Sequence, residues 1–399
     1  MAADLRQRML EGKSELPRVG RVVRAGGLFP PYVVLGGDGS EIGPVTEYLK
    51  DLALSDVSVL TPRSYGYDLL RWLRLLAVLE VAWDRATPSE LDVLVGWMKS
   101  APNPQRRRSA GGTRPGVVNP LTGKPSLKAG YAPRTINHCL TVIHGFYAFH
   151  AIGGRGPVVN PVPESRQQRA ALSHRSPLET KPTVRRGRLR QKVPQQAPRA
   201  IPDRLWDELF AAMRCNRDRA LLEIYVSSGA RASELLGALA EDVGWAEQLI
   251  YVISKGTRLR QGVPMSPQGL RYLAAYLGEG DPLAPGDPLW RTRRGESRAL
   301  TYWAMRRVLQ RANEQLGTNW TLHDLRHTAS TRMANDGTLT LAEVQTILRH
   351  ADINTTGVYL TVRIEDMFDR LQEHYTRPRP VRTYAAGYSA DDMKAVFGE

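Results

Sequence analysis

The sequence predicts a mainly α-helical protein of two domains, with one small β-hairpin in the second. Three observations lead there. At 399 residues the chain exceeds the usual span of one compact core. Apolar residues recur at helical spacing along most of it. One stretch breaks that period: Leu249-Ile250-Tyr251-Val252-Ile253 is a β-branched and aromatic run, Lys255-Gly256-Thr257 is turn-like, and Gln261-Gly262-Val263-Pro264-Met265 returns. With 35 Gly and 27 Pro, substantial irregular connections must join these elements.

Taken in order, residues 1–43 are basic and interrupted by Gly and Pro, give no sustained helical period, and receive no assigned role. Residues 44–156 form a helical domain. Val45, Tyr48, Leu49 and Leu52 mark one apolar stripe and Tyr67, Leu70, Leu73, Leu76 and Leu79 another. A third helix follows the Thr87-Pro88 start, and a fourth runs from about Thr135 to Phe149. In residues 157–198 the periodicity disappears among prolines, which marks a linker. Residues 199–378 make the second domain, with helices over Arg204 to Met213, Arg217 to Ser227 and Ala232 to Ala240, then the hairpin. Helices resume near Pro267, Tyr302, Leu322, Leu341 and Thr355, and Thr340-Leu341-Ala342-Glu343 is a capping box. Residues 379–399 are a tail whose Met393, Val396 and Phe397 share one side; packing in cis and docking on a neighbouring protomer are equal readings. No internal repeat is present.

Charge points to the partner. The 55 Lys and Arg against 40 Asp and Glu leave a formal +15, which favours a polyanion because each neutralised phosphate releases counterions. Arg106, Arg107, Arg108, Arg114, Lys124 and Lys128 lie in a stretch without an acidic residue from Ala101 to Gly130. A solvated loop and a phosphate-contacting loop are equal readings of it. Arg185, Arg186, Arg188, Arg190 and Lys192 concentrate charge in the linker, which needs none unless it lies along something anionic. The two cysteines, Cys139 and Cys215, sit among apolar neighbours and suit buried thiols in a reducing compartment. No apolar stretch reaches membrane-spanning length and no signal pattern opens the chain, so a cytoplasmic, nucleoid-associated protein without membrane contact is expected.

Four segments of the second domain hold unusual side chains: Gly229-Ala230-Arg231-Ala232-Ser233-Glu234-Leu235, Ser254-Lys255-Gly256-Thr257, His323-Asp324-Leu325-Arg326-His327, and Leu348-Arg349-His350 through Tyr359. Singly each is unremarkable. Their order and spacing together resemble the catalytic domain of the tyrosine recombinases, the phage integrase family. That family's signature runs arginine, hairpin lysine, His-x-x-Arg, a His or Trp, and a tyrosine nine residues later. Arg231, Lys255, His323, Arg326, His350 and Tyr359 stand in that order, with nine residues from His350 to Tyr359. Arg349 departs from the pattern, since a glycine is usual there. The resemblance covers about residues 201–378 closely and the helical domain loosely, and it does not reach residues 1–43.

The resemblance implies a two-domain DNA clamp and a site-specific recombinase or integrase that cleaves and rejoins DNA through a 3′-phosphotyrosine, as mobile genetic elements use. Charge growing on the phosphate oxygens calls for guanidinium forks, here Arg231 and Arg326. A phenol is a weak nucleophile near neutrality, so cations that favour its phenolate would help Tyr359 attack. Lys255 would protonate the leaving 5′ oxygen, His323 would assist proton transfer, and His350 would hydrogen-bond the phosphate. Glu234 would orient the arginines from behind. The family mechanism needs no metal, nucleotide or other cofactor. It joins two double-stranded DNA sites within a homotetramer, with accessory proteins as an open matter.

Other assignments compete. His323 and His327 superficially match a zinc-binding H-E-x-x-H, with Asp324 in place of the glutamate base. A recombinase-like DNA-binding protein without catalysis and a type IB topoisomerase are the alternatives within the fold. Tyr375, Tyr384 and Tyr388 are rival nucleophiles, but no motif accompanies them.

Overall fold

The computed structural model describes residues 2–103, 115–162, 187–193, 199–254, 258–336 and 338–349, with the isolated positions Gln372, Tyr375, Thr376, Asp391 and Ala395. Two compact units divide the chain, Met1–Gln195 and Gln196–Glu399. The fold is mainly helical, as expected from the periodicity, and the described residues form two small antiparallel sheets, of which the one in the second unit was expected.

The first unit packs α2 (Gly43–Leu54), α3 (Leu60–Val78), α4 (Pro88–Ser100) and α5 (Pro133–Ile152) around one core. Thr87 starts α4 with a capping box, its backbone N–H donating to Glu90 Oε2 at 2.8 Å. Leu91, Leu94 and Met98 of α4 and Ile136, Leu140, Ile143 and Phe146 of α5 are all buried in that core. The Trp72 indole donates to the Tyr147 hydroxyl at 2.9 Å, and that hydroxyl donates to the Trp83 carbonyl at 2.8 Å. The buried face of α3 matches the stripe read in sequence only in part: Leu70 and Leu76 are buried as expected, Leu69, Trp72 and Leu75 join them, and Tyr67 is exposed. Residues 69–79 are apolar on nearly every side, so spacing alone does not select one stripe.

Residues before Pro44 also belong to this core. Helix α1 (Ala2–Leu10) buries Met9 and sets Arg6 against Glu90 at 2.6 Å. Gly96 makes the approach possible, since a Cβ there would sit 2.8 Å from Leu10 Cγ and 3.0 Å from its carbonyl oxygen. Strands β1 (Arg21–Arg24) and β2 (Tyr32–Leu35) pair in register Val22↔Val34, and Val34 is buried. Elements of nine and four residues are too short to display a sustained period.

The linker stretch is also partly attached to this unit. Asn137 and Gln191 exchange two bonds, Asn137 Nδ2 to the Gln191 carbonyl at 3.0 Å and Gln191 N to Asn137 Oδ1 at 2.8 Å. Arg190 donates to Thr141 Oγ1 at 3.0 Å, and Arg188 pairs with Asp92 at 2.9 Å. A side-chain amide on α5 thus does for residue 191 what a neighbouring strand would do.

The second unit runs α6 (Asp203–Ala211), α7 (Asn216–Ser228), α8 (Ala232–Leu236), a three-stranded sheet, α9 (Pro267–Leu277), α10 (Tyr302–Leu316), α11 (Leu322–Ala334) and α12 (Leu341–Leu348). The sheet has the order β3 (Val243–Gly244), β4 (Leu249–Ile253), β5 (Arg260–Pro264), with Ile250↔Val263 in register. The expected hairpin is β4–β5; the two-residue β3 carries too little pattern to be read. Thr340 caps α12 in the expected box, with Glu343 Oε2 accepting from the Thr340 backbone at 2.7 Å. Helix α7 forms the middle of the core, where Leu221, Leu222, Ile224 and Tyr225 are buried. The helix expected near Thr355 lies outside the described residues, as does the 379–399 tail apart from Asp391 and Ala395.

One polar cluster makes the first unit sensitive to pH. Asp68, buried on α3, pairs with Arg71 and accepts from His138 Nδ1 at 2.6 Å, while the Arg71 guanidinium lies 4.9 Å from the Tyr131 ring centre. The hydrogen bond to Asp68 raises the His138 pKa above the ordinary value near 6.5, against a smaller opposing effect of burial. A raised histidine pKa adds stability that is complete below the unfolded value and is lost as pH rises through the folded one. His138→Gln should therefore lose most relative to the unsubstituted chain at pH 5.5, and the gap should narrow above neutrality. Urea titrations across that range measure it; a gap independent of pH would mean that the pair makes no titrating contribution.

Candidate active site

The site is assembled where two helices stop. Helix α7 ends at Gly229, which adopts the left-handed conformation (φ 60°), and α12 ends at Arg349, also left-handed (φ 54°). Gly229 is doubly constrained, because a Cβ there would also lie 2.6 Å from Leu348 Cδ2. Into the gap comes Arg326 from α11, nearly buried, donating through Nη1 to the Gly229 carbonyl and through Nη2 to the Leu348 carbonyl at 2.6 Å. Helix C-termini carry unsatisfied carbonyls and partial negative charge, so one guanidinium serves both ends.

Arg231 follows two residues after Gly229, at the start of α8. Its backbone N–H donates to Glu234 Oε2 at 3.0 Å and its Nη1 to Glu234 Oε1 at 2.7 Å. The Arg231 side chain remains 34% exposed whereas that of Glu234 is 1% exposed, so the guanidinium is open to a ligand while its orienting carboxylate is sealed behind it. The Trp290 indole donates to the Leu235 carbonyl at 2.8 Å and fixes α8 from below. The structure thus brings Glu234 to Arg231, the contact expected of it.

His323 stands one turn before Arg326 on α11, exposed, with its ring 4.2 Å from that of His327. Asp324, which a zinc site of the H-E-x-x-H kind would require as base, accepts from the Thr321 backbone and hydroxyl, both at 2.7 Å. It completes the capping box of α11 from three residues after the N-cap Thr321.

Lys255, His350 and Tyr359 lie outside the described residues, as do Arg106, Arg107, Arg108, Arg114, Arg185 and Arg186. The flanks of the Lys255 turn are set: Ser254 Oγ donates to Gln261 Oε1 at 2.7 Å across β4 and β5. Of the remaining basic candidates, Lys124 is half-buried in a turn closed by Asn119 N donating to the Lys124 carbonyl at 3.0 Å, and Lys128 is exposed. Arg188, Arg190 and Lys192 are exposed on the first unit.

Arg349 joins this cluster through a contact that the spacing argument missed. Its side chain is 5% exposed and its Nη2 donates to Glu234 Oε2 at 2.8 Å. The signal was present as the non-glycine residue at a helix end where glycine is usual.

Comparison with known proteins agrees with this construction. The pattern of the Phage integrase family matches residues 204–365. Tyrosine recombinase XerD of Pseudomonas aeruginosa is 34% identical over 167 residues, covering 40% of this chain and 55% of that protein. XerD of Yersinia pestis is 30% identical over 202 residues, covering 47% and 65%. The chain therefore spans between about half and two thirds of the length of these relatives. Among solved structures, Tn1549 transposon integrase in complex with circular intermediate DNA has a TM-score of 0.56 at 15% identity, over 82% of this chain and 98% of that one. A lambda integrase dimer bound to a COC′ core site has a TM-score of 0.53 at 16% identity, over 81% and 95%. The fold is that of the integrases. Residues 204–365 match the phage integrase family, and the relatives they match are tyrosine recombinases.

Arg326→Lys keeps the charge but replaces the two separated nitrogens that each reach a carbonyl with one nitrogen on a shorter side chain. It should lower unfolding free energy by about 1–3 kcal/mol, the typical cost of leaving one buried polar group unmet. Urea denaturation of the full chain measures the shift; an unchanged midpoint would show that neither carbonyl relies on this guanidinium.

Proposed function

We propose that this protein is a site-specific DNA recombinase that breaks one strand through Tyr359, holds it as a 3′-phosphotyrosine, and reseals it to a new 5′ hydroxyl. The carrying observation is the Arg231 guanidinium, exposed and oriented by a buried Glu234, on a turn that Arg326 ties to the end of α12. That helix leads in sequence to His350 and Tyr359.

Among the described residues Arg231 gives Nη1 to Glu234, which leaves further N–H donors of its five for a phosphate. Bound there, the scissile phosphate meets positive charge as its non-bridging oxygens gain negative charge in the transition state. Arg326, one turn beyond the exposed His323, supplies cationic field from the buried side. Lys255, which falls between β4 and β5 in sequence, delivers a proton to the leaving 5′ oxygen, His323 assists its transfer, and His350 donates to the phosphate. The phosphotyrosine keeps the energy of the broken phosphodiester, so resealing needs neither ATP nor metal.

Double-stranded recombination sites are the substrate and two such sites meet in a homotetramer, with accessory proteins an open requirement. The helical unit and the recombinase unit grip the duplex as a clamp, with 157–198 as the basic connection. Arg106, Arg107, Arg108, Arg114, Lys124 and Lys128, with Arg185, Arg186, Arg188, Arg190 and Lys192, supply phosphate contacts. The protein acts in the cytoplasm at the nucleoid; no described helix is long and apolar enough to cross a membrane.

Tyr359→Phe should abolish the covalent protein–DNA adduct on a nicked suicide substrate while DNA affinity stays within about twofold, since only a hydroxyl is removed. The same change at Tyr375, Tyr384 or Tyr388 should leave the adduct intact. Peptide mapping that places the phosphate on another residue would sink the assignment, and strict dependence of the unsubstituted chain on a divalent metal would sink the cofactor-free chemistry. Binding should weaken steeply with salt, and neutralising Arg185 to Lys192 should flatten the slope of log affinity against log salt. An unchanged slope would remove that cluster from the interface.

A further inference from the structure

Arg349 sits where an L-residue is strained and does something a helix end does not require. It terminates α12 at φ 54° and ψ 47°, the left-handed region in which a Cβ crowds the backbone. Its side chain turns inward, donating through Nη1 to the Ile347 carbonyl at 2.8 Å and through Nη2 to Glu234 Oε2 at 2.8 Å. Its Nε is buried with no acceptor among the described residues. A buried cation with an unmet donor on a strained backbone is not the most stable way to end a helix.

The arrangement makes sense from the side of Glu234. That carboxylate lies between two guanidinium groups, with Oε1 on Arg231 and Oε2 shared by the Arg231 backbone N–H and Arg349. Arginine and carboxylate prefer a bidentate fork when nothing else intervenes. With Oε2 accepting from both the Arg231 backbone N–H and Arg349, its two lone pairs are occupied and a second Arg231 guanidinium nitrogen finds no place on it.

We propose that Arg349 is a positioning residue for the recombination chemistry. Acting through Glu234, it holds Arg231 by one nitrogen and keeps the other donors turned toward the scissile phosphate. Without it, the lone pair of Oε2 that Arg349 held is free to take a second Arg231 nitrogen and withdraw that donor from the phosphate. The inference deepens the recombinase reading above and rests on Arg231 binding the phosphate.

Arg349→Gly separates this role from a structural one, because glycine relieves the backbone strain while deleting the guanidinium. The melting temperature should be unchanged or higher, and affinity for a site-containing duplex should stay within about twofold. The first-order rate of adduct formation at saturating protein should fall about 10–100-fold, less than the roughly 100–1,000-fold that follows outright removal of one transition-state donor. Arg349→Lys, whose ammonium keeps one contact to Glu234, should recover part of that rate. In a Glu234→Gln background, removing Arg349 should change the rate by less than about threefold, since the coupling runs through the carboxylate.

A full rate in Arg349→Gly overturns the proposal, as does a loss matched by loss of DNA binding or of melting temperature. So does an undiminished effect in the Glu234→Gln background. The parent reading is tested separately by the unsubstituted chain: adduct formation there that vanishes in Tyr359→Phe, with Arg349→Gly at full rate, rejects the positioning role alone. No adduct from the unsubstituted chain overturns both.

Discussion

The second unit depends on a buried cation set between two helix ends. Arg326 bonds the last carbonyls of α7 and α12, so one side chain from α11 fixes where two other helices stop. Both ends then turn through left-handed residues, Gly229 and Arg349, and the chain that leaves them carries the residues on which the chemistry is proposed to rest. A desolvated guanidinium is costly in an apolar interior, but two helix C-termini offer it partial negative charge as well as acceptors. Stability and site geometry are therefore written into the same contact.

The first unit solves a different problem. Its helices bury a broad apolar core, yet it also binds the segments that flank it in sequence: α1 through Gly96 and the Arg6–Glu90 pair, and residues 187–193 through Asn137, Thr141 and Asp92. Asp92 and Thr141 engage Arg188 and Arg190, so part of the positive charge in that stretch is already met by the protein. The basic cluster is thus an attachment as well as a charged surface.

Much of this architecture was legible in the residues. The Thr87-Pro88 start and the Thr340 capping box place helix starts, the second because a side chain three residues along must answer the cap, a local rule that packing does not override. The β4–β5 hairpin showed itself by a change of period. Where the pattern was short or redundant, it failed: α1 and β1–β2 are too brief to show periodicity, and α3 is apolar on too many sides to reveal its buried face. At the site, the spacing from Arg231 to Arg326 identified the arginines but not their surroundings. That Arg326 faces two carbonyls, and that Arg349 lies beside Glu234, follow from contacts 97 and 115 residues apart in sequence, which no local pattern records.

Gly229 has a consequence best put in genetic terms. Two independent prohibitions act on it, one conformational (φ 60°) and one steric, the 2.6 Å approach to Leu348. An alanine allele there meets both. Trimming Leu348 in a second locus lifts only the steric one, so suppression is partial by construction, and the residual defect measures the backbone preference alone. Such a suppressor pair would report on the junction between α7 and α12 in living cells without touching a single charged group of the site.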